Sequence, residues 1–427
     1  LKFIIGTGKI FGQNGLIPSF SFLNIKNFFQ TIFFTKKLAR NHYAGLMHAL
    51  IYYGFLILWI ATDVVAIHYD TPFKIFQGPV YIIISLLADL AGMMMIMGII
   101  LASYRRYFKK EKKLSATNPN REKIMYSTLL ALVILGYLIE ALRIVGTGMP
   151  IGEKSWAPVG YAIAVVIKAF NFSDSSLGLT YRIFWFAHMV NTKAFLAIIP
   201  YTKFLHMFII PLNALLSKDK QGAILNPMNF EDEEAESFGL SKLSEMTMKN
   251  RMDLLSCVEC GRCTNVCPAL HSGKNLNPKT IITKARDLAQ SDPNTDVEFW
   301  GDKPIYESNE LDACTTCGAC MEECPANIEH VNIIMEAKRY KALTLGDIPP
   351  AAADAINKIK INGNPWGLSQ DERFKWSEGL DVPVISPDKK VDYLYYIGCA
   401  GSYDAENQKV VKNTIALLKS ANIDFAV

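Results

Sequence analysis

The sequence predicts a mainly α protein, in which a bundle of membrane-crossing helices leads into a small α module organised by cysteines and then into the start of an α/β unit. Three observations predict this. Long apolar runs fill residues 43 to 210, eight of the nine cysteines fall in two identical runs after residue 256, and residues 391–421 read as a strand, a turn and a helix. The 427 residues suffice for two or three domains. Half are hydrophobic and a fifth charged, with mean hydropathy +0.16, averages that hide the split between an apolar first half and a soluble second half. A net charge of +4 is too small to suggest nucleic acid, and the basic residues sit beside apolar runs, where a lipid surface explains them.

Residues 1–42 mix aromatics with Lys26, Lys36, Lys37 and Arg40 and read as interfacial. Four stretches follow, 43–67, 79–104, 124–145 and 181–210, each long enough for the ~20 residues a bilayer-crossing helix needs. A shorter apolar run at 157–170, interrupted by Lys168, reads as interfacial or re-entrant. The loop after the second span carries Arg105, Arg106, Lys109, Lys110, Lys112, Lys113, Arg121 and Lys123, whereas the loop after the first has only Lys74. Basic loops stay inside, so an even count of spans puts everything after residue 211 in the cytoplasm of a multi-pass protein of the cell membrane. A linker with Pro227 and the acidic Glu231–Glu234 run leads to the cysteine module, which has helices expected from Pro278 and from Pro325. Residues 346–390 read as a connecting arm. The first residue is Leu1 rather than Met, no cleavable secretory signal is visible, and the α/β unit stops after its first helix, so the chain reads as a fragment.

The chemistry lies first in Cys257-x2-Cys260-x2-Cys263-x3-Cys267-Pro268 and its repeat, Cys314-x2-Cys317-x2-Cys320-x3-Cys324-Pro325. A cubane cluster needs four converging thiolates. Three close cysteines cap three irons, and in the two-cluster ferredoxin pattern the fourth of each run ligates the other cluster. Cys257, Cys260, Cys263 and Cys324 are therefore assigned to one [4Fe–4S] cluster, and Cys314, Cys317, Cys320 and Cys267 to a second. Gly261 and Gly318 let backbone amides approach the sulfides. Structural zinc is the plain alternative, but zinc ribbons present two separated pairs rather than three cysteines and a fourth before proline. Cys399 stands alone and reads as structural.

Five histidines, His42, His48, His68, His188 and His206, lie in or beside apolar spans, where an ionisable group is costly and points to function. Facing imidazoles are the usual ligands of b-type haem, so one or two haems are expected. His188 and His206, 18 residues apart, are five turns and ~27 Å apart on one helix, with Pro200 between them. His48 lies at the depth of His206 and His68 at that of His188, although 20 residues turn an ideal helix by ~200° and set His48 and His68 on opposite sides. A hydrogen-bonded helix contact is the plain alternative for each. Asp63, Asp89, Glu140 and Arg143 also lie in spans, and Glu140 and Arg143, three apart, are spaced to pair.

Gly45-Leu46-Met47-His48, Tyr53-Gly54-Phe55 and Trp185-Phe186-Ala187-His188 resemble a nitrate reductase gamma-subunit-type cytochrome b. The cysteine runs resemble the dicluster domain of heterodisulfide-reductase-type proteins. With Tyr396-Ile397-Gly398-Cys399-Ala400-Gly401 after them, the order resembles one fused family that has a cysteine-rich domain at its end. The resemblance implies a cytochrome b domain over 1–216, a dicluster ferredoxin-like domain over 240–345 and the truncated start of the cysteine-rich domain over 391–427. It also implies membrane-bound electron transport between a soluble redox protein, such as electron-transfer flavoprotein, and a quinone, in particular menaquinone. The other classes it leaves open are a quinol-linked thiol–disulfide reductase unit and a non-catalytic relay or anchor subunit.

Overall fold

The structure is a computed structural model, and it describes residues 22–111, 114, 119–217, 225–233, 237–291, 298–301 and 304–427. Lys112 and Lys113 of the basic loop, and Lys218, Lys220 and Glu234 of the linker, lie outside the described residues, as do residues 1–21 of the N-terminal stretch. The chain divides into two units, Leu1–Tyr340 and Lys341–Val427.

The first unit opens with α1 (Phe22–Ile32) and a short helix, Lys36–Ala39. Asn41 then caps α2 (His42–Asp70), its side chain accepting from the Ala44 amide at 2.9 Å. The bundle continues with α3 (Gly78–Ser103), α4 (Pro119–Gly146), the short α5 (Pro158–Lys168) and α6 (Asp174–Ile198). Among the described residues, four helices are long and apolar enough to cross a membrane: His42–Asp70, Gly78–Phe108, Glu122–Gly146 and Asp174–Tyr201. Their outward faces keep Trp59, Ile60, Met97, Ile100, Trp185 and Phe186 exposed, the apolar surface that lipid covers. Gly54 lets α2 and α3 approach closely, since a Cβ there would lie 2.9 Å from the Ala91 carbonyl oxygen.

At ~1.5 Å per residue, the 11 residues of α5 reach only ~16 Å, too short to span. It packs against α4 through Ala141, Ile144 and Ala164. Asp89, buried in α3, explains its own presence in a span: its carboxylate accepts from the Val159 and Gly160 amides at 3.0 and 2.9 Å and so caps α5. Arg143 bonds Glu153 at 3.1 Å, so the pairing expected with Glu140 gives way to a partner on the following loop.

The fourth span differs from expectation. α6 stops at Ile198, Pro200 sits in a tight 3-10 turn at Ile199–Tyr201, and Thr202 turns extended. The Thr202 hydroxyl then accepts from the Phe204 amide and restarts the chain into α7 (His206–Leu215). Proline lacks the N–H that a continuing helix needs. His188 and His206 therefore belong to two helices, and the five-turn phase expected between them does not apply.

α7 packs on α1 and on α8 (Met248–Ser256), the first helix of the cysteine module. That module adds α9 (Pro278–Ser291) and α10 (His330–Arg339) around a core of Leu254, Ile281, Phe299, Tyr306 and Ile333. Pro325 does not open α10. Asn327 first takes a left-handed conformation (φ 55°), and the helix begins at His330.

In the second unit, part of the expected connecting arm is helical: α11 (Pro350–Asn362) starts at proline and ends at Gly363, whose φ of 70° favours glycine. The strand expected over 391–397 is ordered as β1 (Tyr393–Leu394), and it pairs in parallel with β2 (Phe425–Ala426) across α12 (Ala405–Ser420). Arg373 donates to the Cys399 sulfur at 3.7 Å.

Candidate redox centres

The two cysteine runs fold alike. Glu259 and Thr316, each just before the second cysteine of its run, have φ of 60° and 55°, and Gly261 and Gly318 have φ of 69° and 75°. Successive left-handed turns point backbone N–H groups to one side, an arrangement suited to anionic sulfide. A short helix then carries Cys263 and another carries Cys320.

The last cysteine of each run also lies near cysteines of the other run. Cys324 lies close enough to interact electrostatically with Cys257, Cys260 and Cys263, and Cys267 does so with Cys314 and Cys320. A small cavity is lined by Cys267, Cys314, Cys317 and Cys320 beside Val331 and Ile334. Burial first, and neighbouring thiols second, push the Cys320 thiol up to about 12 and the Cys263 thiol well above its ordinary value. Burial likewise pushes Cys257 up to about 11 and Cys324 to about 12. Buried thiolates gathered in fours need positive charge among them, and iron supplies it. The donor set fits two clusters.

The module is fastened to the membrane bundle at the first run. Arg262, buried between Cys260 and Cys263, donates to the carbonyls of Lys37 and Leu38 at 2.7 and 2.8 Å. Arg40 meets Glu322 at 2.6 Å, just ahead of Cys324. Glu259 accepts from Arg286 at 2.6 Å and faces Lys203 at 3.4 Å, and Lys203 in turn pairs with Glu122, the partner of Arg106. Asn213 of α7 donates to Asp253 at 2.9 Å and to the Ala326 carbonyl at 3.0 Å. The cysteine module thus sits on the same side of the bundle as the basic loop. In the sequence, residues 105–106 and 122 signal only charge; Arg262, Lys203 and Glu259 carry no signal except that a charged residue inside a ligand run is unusual. Charge-assisted hydrogen bonds contribute ~1.5–3 kcal/mol each. Arg262→Ala is expected to lower the thermal midpoint of cluster bleaching, and an unchanged midpoint would show that the seam carries no stability.

The seam ends at two of the histidines. His48 interacts electrostatically with both His206 and Arg262. His206 Nδ1 meets the Lys203 carbonyl and must donate to it, which leaves a lone pair on Nε2 for a metal. The Nδ1 atoms of His48 and His188 are buried with no hydrogen-bond partner among the described residues. Buried polar atoms left unmatched cost ~1–3 kcal/mol each, so these rings fit a bound group. His68 differs. Its Nδ1 accepts from the Phe76 amide at 3.1 Å, so its proton sits on Nε2 and no lone pair faces outward; its ring meets Tyr69 and Phe76 rather than an imidazole. The structure brings His48 and His206 together and leaves His68 and His188 apart from that pair. His42 is the first residue of α2.

Residues 53–221 match the nitrate reductase gamma subunit family, and residues 253–328 match the 4Fe-4S dicluster domain family. A component of the ferredoxin/F(420)H(2)-dependent CoB-CoM heterodisulfide reductase of Methanosarcina acetivorans is 34% identical over 33% of this chain and 78% of that protein. The chain belongs to the heterodisulfide-reductase-related iron–sulfur oxidoreductases. This member joins the dicluster domain to a gamma-subunit-like membrane domain. Over nearly its whole length it is similar to two longer proteins. One is the EtfAB:quinone oxidoreductase of Syntrophomonas wolfei, 31% identical over 94% of this chain and 61% of that protein. The other is the probable iron-sulfur-binding oxidoreductase FadF of Bacillus subtilis, 28% identical over 93% and 62%. The chain thus spans about three-fifths of these longer relatives. No solved structure matches the chain. This oxidoreductase is a membrane-anchored iron–sulfur protein.

Proposed function

We propose that this oxidoreductase moves electrons between a soluble redox protein at the cytoplasmic face and a quinone in the bilayer. Cys257, Cys260, Cys263 and Cys324 hold one [4Fe–4S] cluster and Cys267, Cys314, Cys317 and Cys320 the other. His48 and His206 hold a haem b, and His188 lines a second haem position. When bound, the clusters and haem supply one-electron redox capacity at potentials that burial, ligand identity and hydrogen bonds tune. The chain's own residues fix the relative placement of these sites. Arg262 ties the first cysteine run to the carbonyls just before α2, and the Glu259–Lys203 pair ties it to the turn that carries His206.

The observation that carries the reading is this adjacency of the first cysteine run to the His48–His206 pair. The basic loop supports a cytoplasmic module, since Arg106 and Glu122 join the same seam. The name of the Syntrophomonas relative supports electron-transfer flavoprotein as the soluble partner and a quinone, menaquinone in our reading, as the membrane partner. Similarity to a component of the dihydromethanophenazine:CoB–CoM heterodisulfide reductase of Methanosarcina barkeri, 29% identical over 43% of this chain and 45% of that protein, favours a second reading: quinol-linked thiol–disulfide reduction. Anaerobic addition of a naphthoquinol to the oxidised full chain is expected to raise reduced-haem bands within seconds to minutes. If neither haem nor iron–sulfur absorbance responds, the quinone link fails. Copurification with a flavoprotein favours the first reading over the second.

A further inference from the structure

Between the end of the fourth span and the first cysteine run lies a cavity of about 300 Å³, within the range of small-molecule sites. Tyr201, Leu205 and His206 form part of one wall, and Leu255, Cys257 and Val258 part of the other. We propose that this cavity takes the headgroup of a quinone, an inference that rests on the haem and cluster assignments above and names where their membrane partner binds.

The position favours a lipid-borne ligand. The cavity is lined by Pro200 and Tyr201 at the end of the apolar helix Asp174–Tyr201, the level of the head of an amphiphile whose tail stays among acyl chains. Its lining mixes the apolar Leu205, Leu255 and Val258 with polar side chains, the pattern of a small-molecule site.

Charge separates a quinone from an anionic occupant. Arg286 is matched by Glu259 at 2.6 Å and Asp287 at 2.8 Å, and Lys203 faces Glu259 at 3.4 Å. The two cations in the wall are balanced by the two carboxylates, so a phosphate headgroup or a pair of haem propionates finds no surplus positive charge there. A neutral ring needs none. The walls carry one residue from each redox centre, His206 and Cys257, so a ring in the cavity adjoins both.

The test uses the full chain and a fluorescent hydroxyquinoline N-oxide, a quinone analogue whose emission is quenched on binding. Val258→Trp fills the cavity from the cysteine module and Leu205→Trp from the membrane side. About one probe per wild-type chain is expected to bind, and both variants should bind it at least tenfold more weakly with haem and iron contents unchanged. Wild-type affinity in the Val258→Trp variant, with haem and iron intact, overturns the proposal. Loss of haem or iron in that variant also overturns it, because the cavity would then belong to the haem or cluster pocket. If Leu205→Trp alone loses haem, the Val258→Trp result decides. A wild-type chain without haem bands defeats the underlying reading instead, whatever the probe does.

Discussion

Serine in place of Cys324 is expected to abolish the same reduced-cluster electron paramagnetic resonance signal as serine in place of Cys260, although Cys324 belongs to the second run. Iron should fall from about eight to about four per chain in either variant. Cys317→Ser should remove the other signal. The reason is proximity: Cys324 lies near Cys257, Cys260 and Cys263, and Cys267 lines one small cavity with Cys314, Cys317 and Cys320. If each run built its own cluster, Cys324→Ser would instead match Cys317→Ser, and the exchange of fourth cysteines would be wrong. Because Cys324 is buried, its variant also tests folding, and Cys260→Ser, at a less buried position, supplies the same signature independently.

His206→Ala and His48→Ala are each expected to remove about one haem per chain, and the double variant should remove no more than either single one. Two ligands of one iron act as a unit, so their losses do not add. His206 is oriented by the Lys203 carbonyl, and the buried His48 Nδ1 lacks a partner among the described residues, so both rings are expected to share one occupant. His188→Ala should act separately and add to either loss. The measurement is the pyridine haemochrome content of detergent-purified protein. Full retention of haem in both single variants would assign the pair to a helix contact instead. His68→Ala should leave haem content at the wild-type level, because its Nδ1 is already engaged by the Phe76 amide.

The parts legible in the sequence were those set by local pattern. Apolar runs longer than a bilayer is thick mark four spans, and the helices His42–Asp70 and Gly78–Phe108 follow them. The two cysteine runs and their dicluster character were legible in the spacing, and residues 253–328 match the 4Fe-4S dicluster domain family. The end of the fourth span was less so. Pro200 signalled a break, but only the Thr202 cap restarting the chain shows that His206 heads a new helix. The seam was not legible at all. Arg262 meets Lys37 and Leu38 across 225 and 224 residues, and no local periodicity encodes such a pairing. Asp89 likewise had no partner visible in the sequence, and its use is to cap α5.

The most direct test of the account is a dithionite-reduced minus oxidised visible spectrum of the anaerobically purified full chain in detergent, with haem and iron quantified. Sharp b-type bands, about two haems and about eight irons per chain are expected. Broad iron–sulfur bleaching without haem bands would contradict it and reduce the protein to a membrane-tethered ferredoxin.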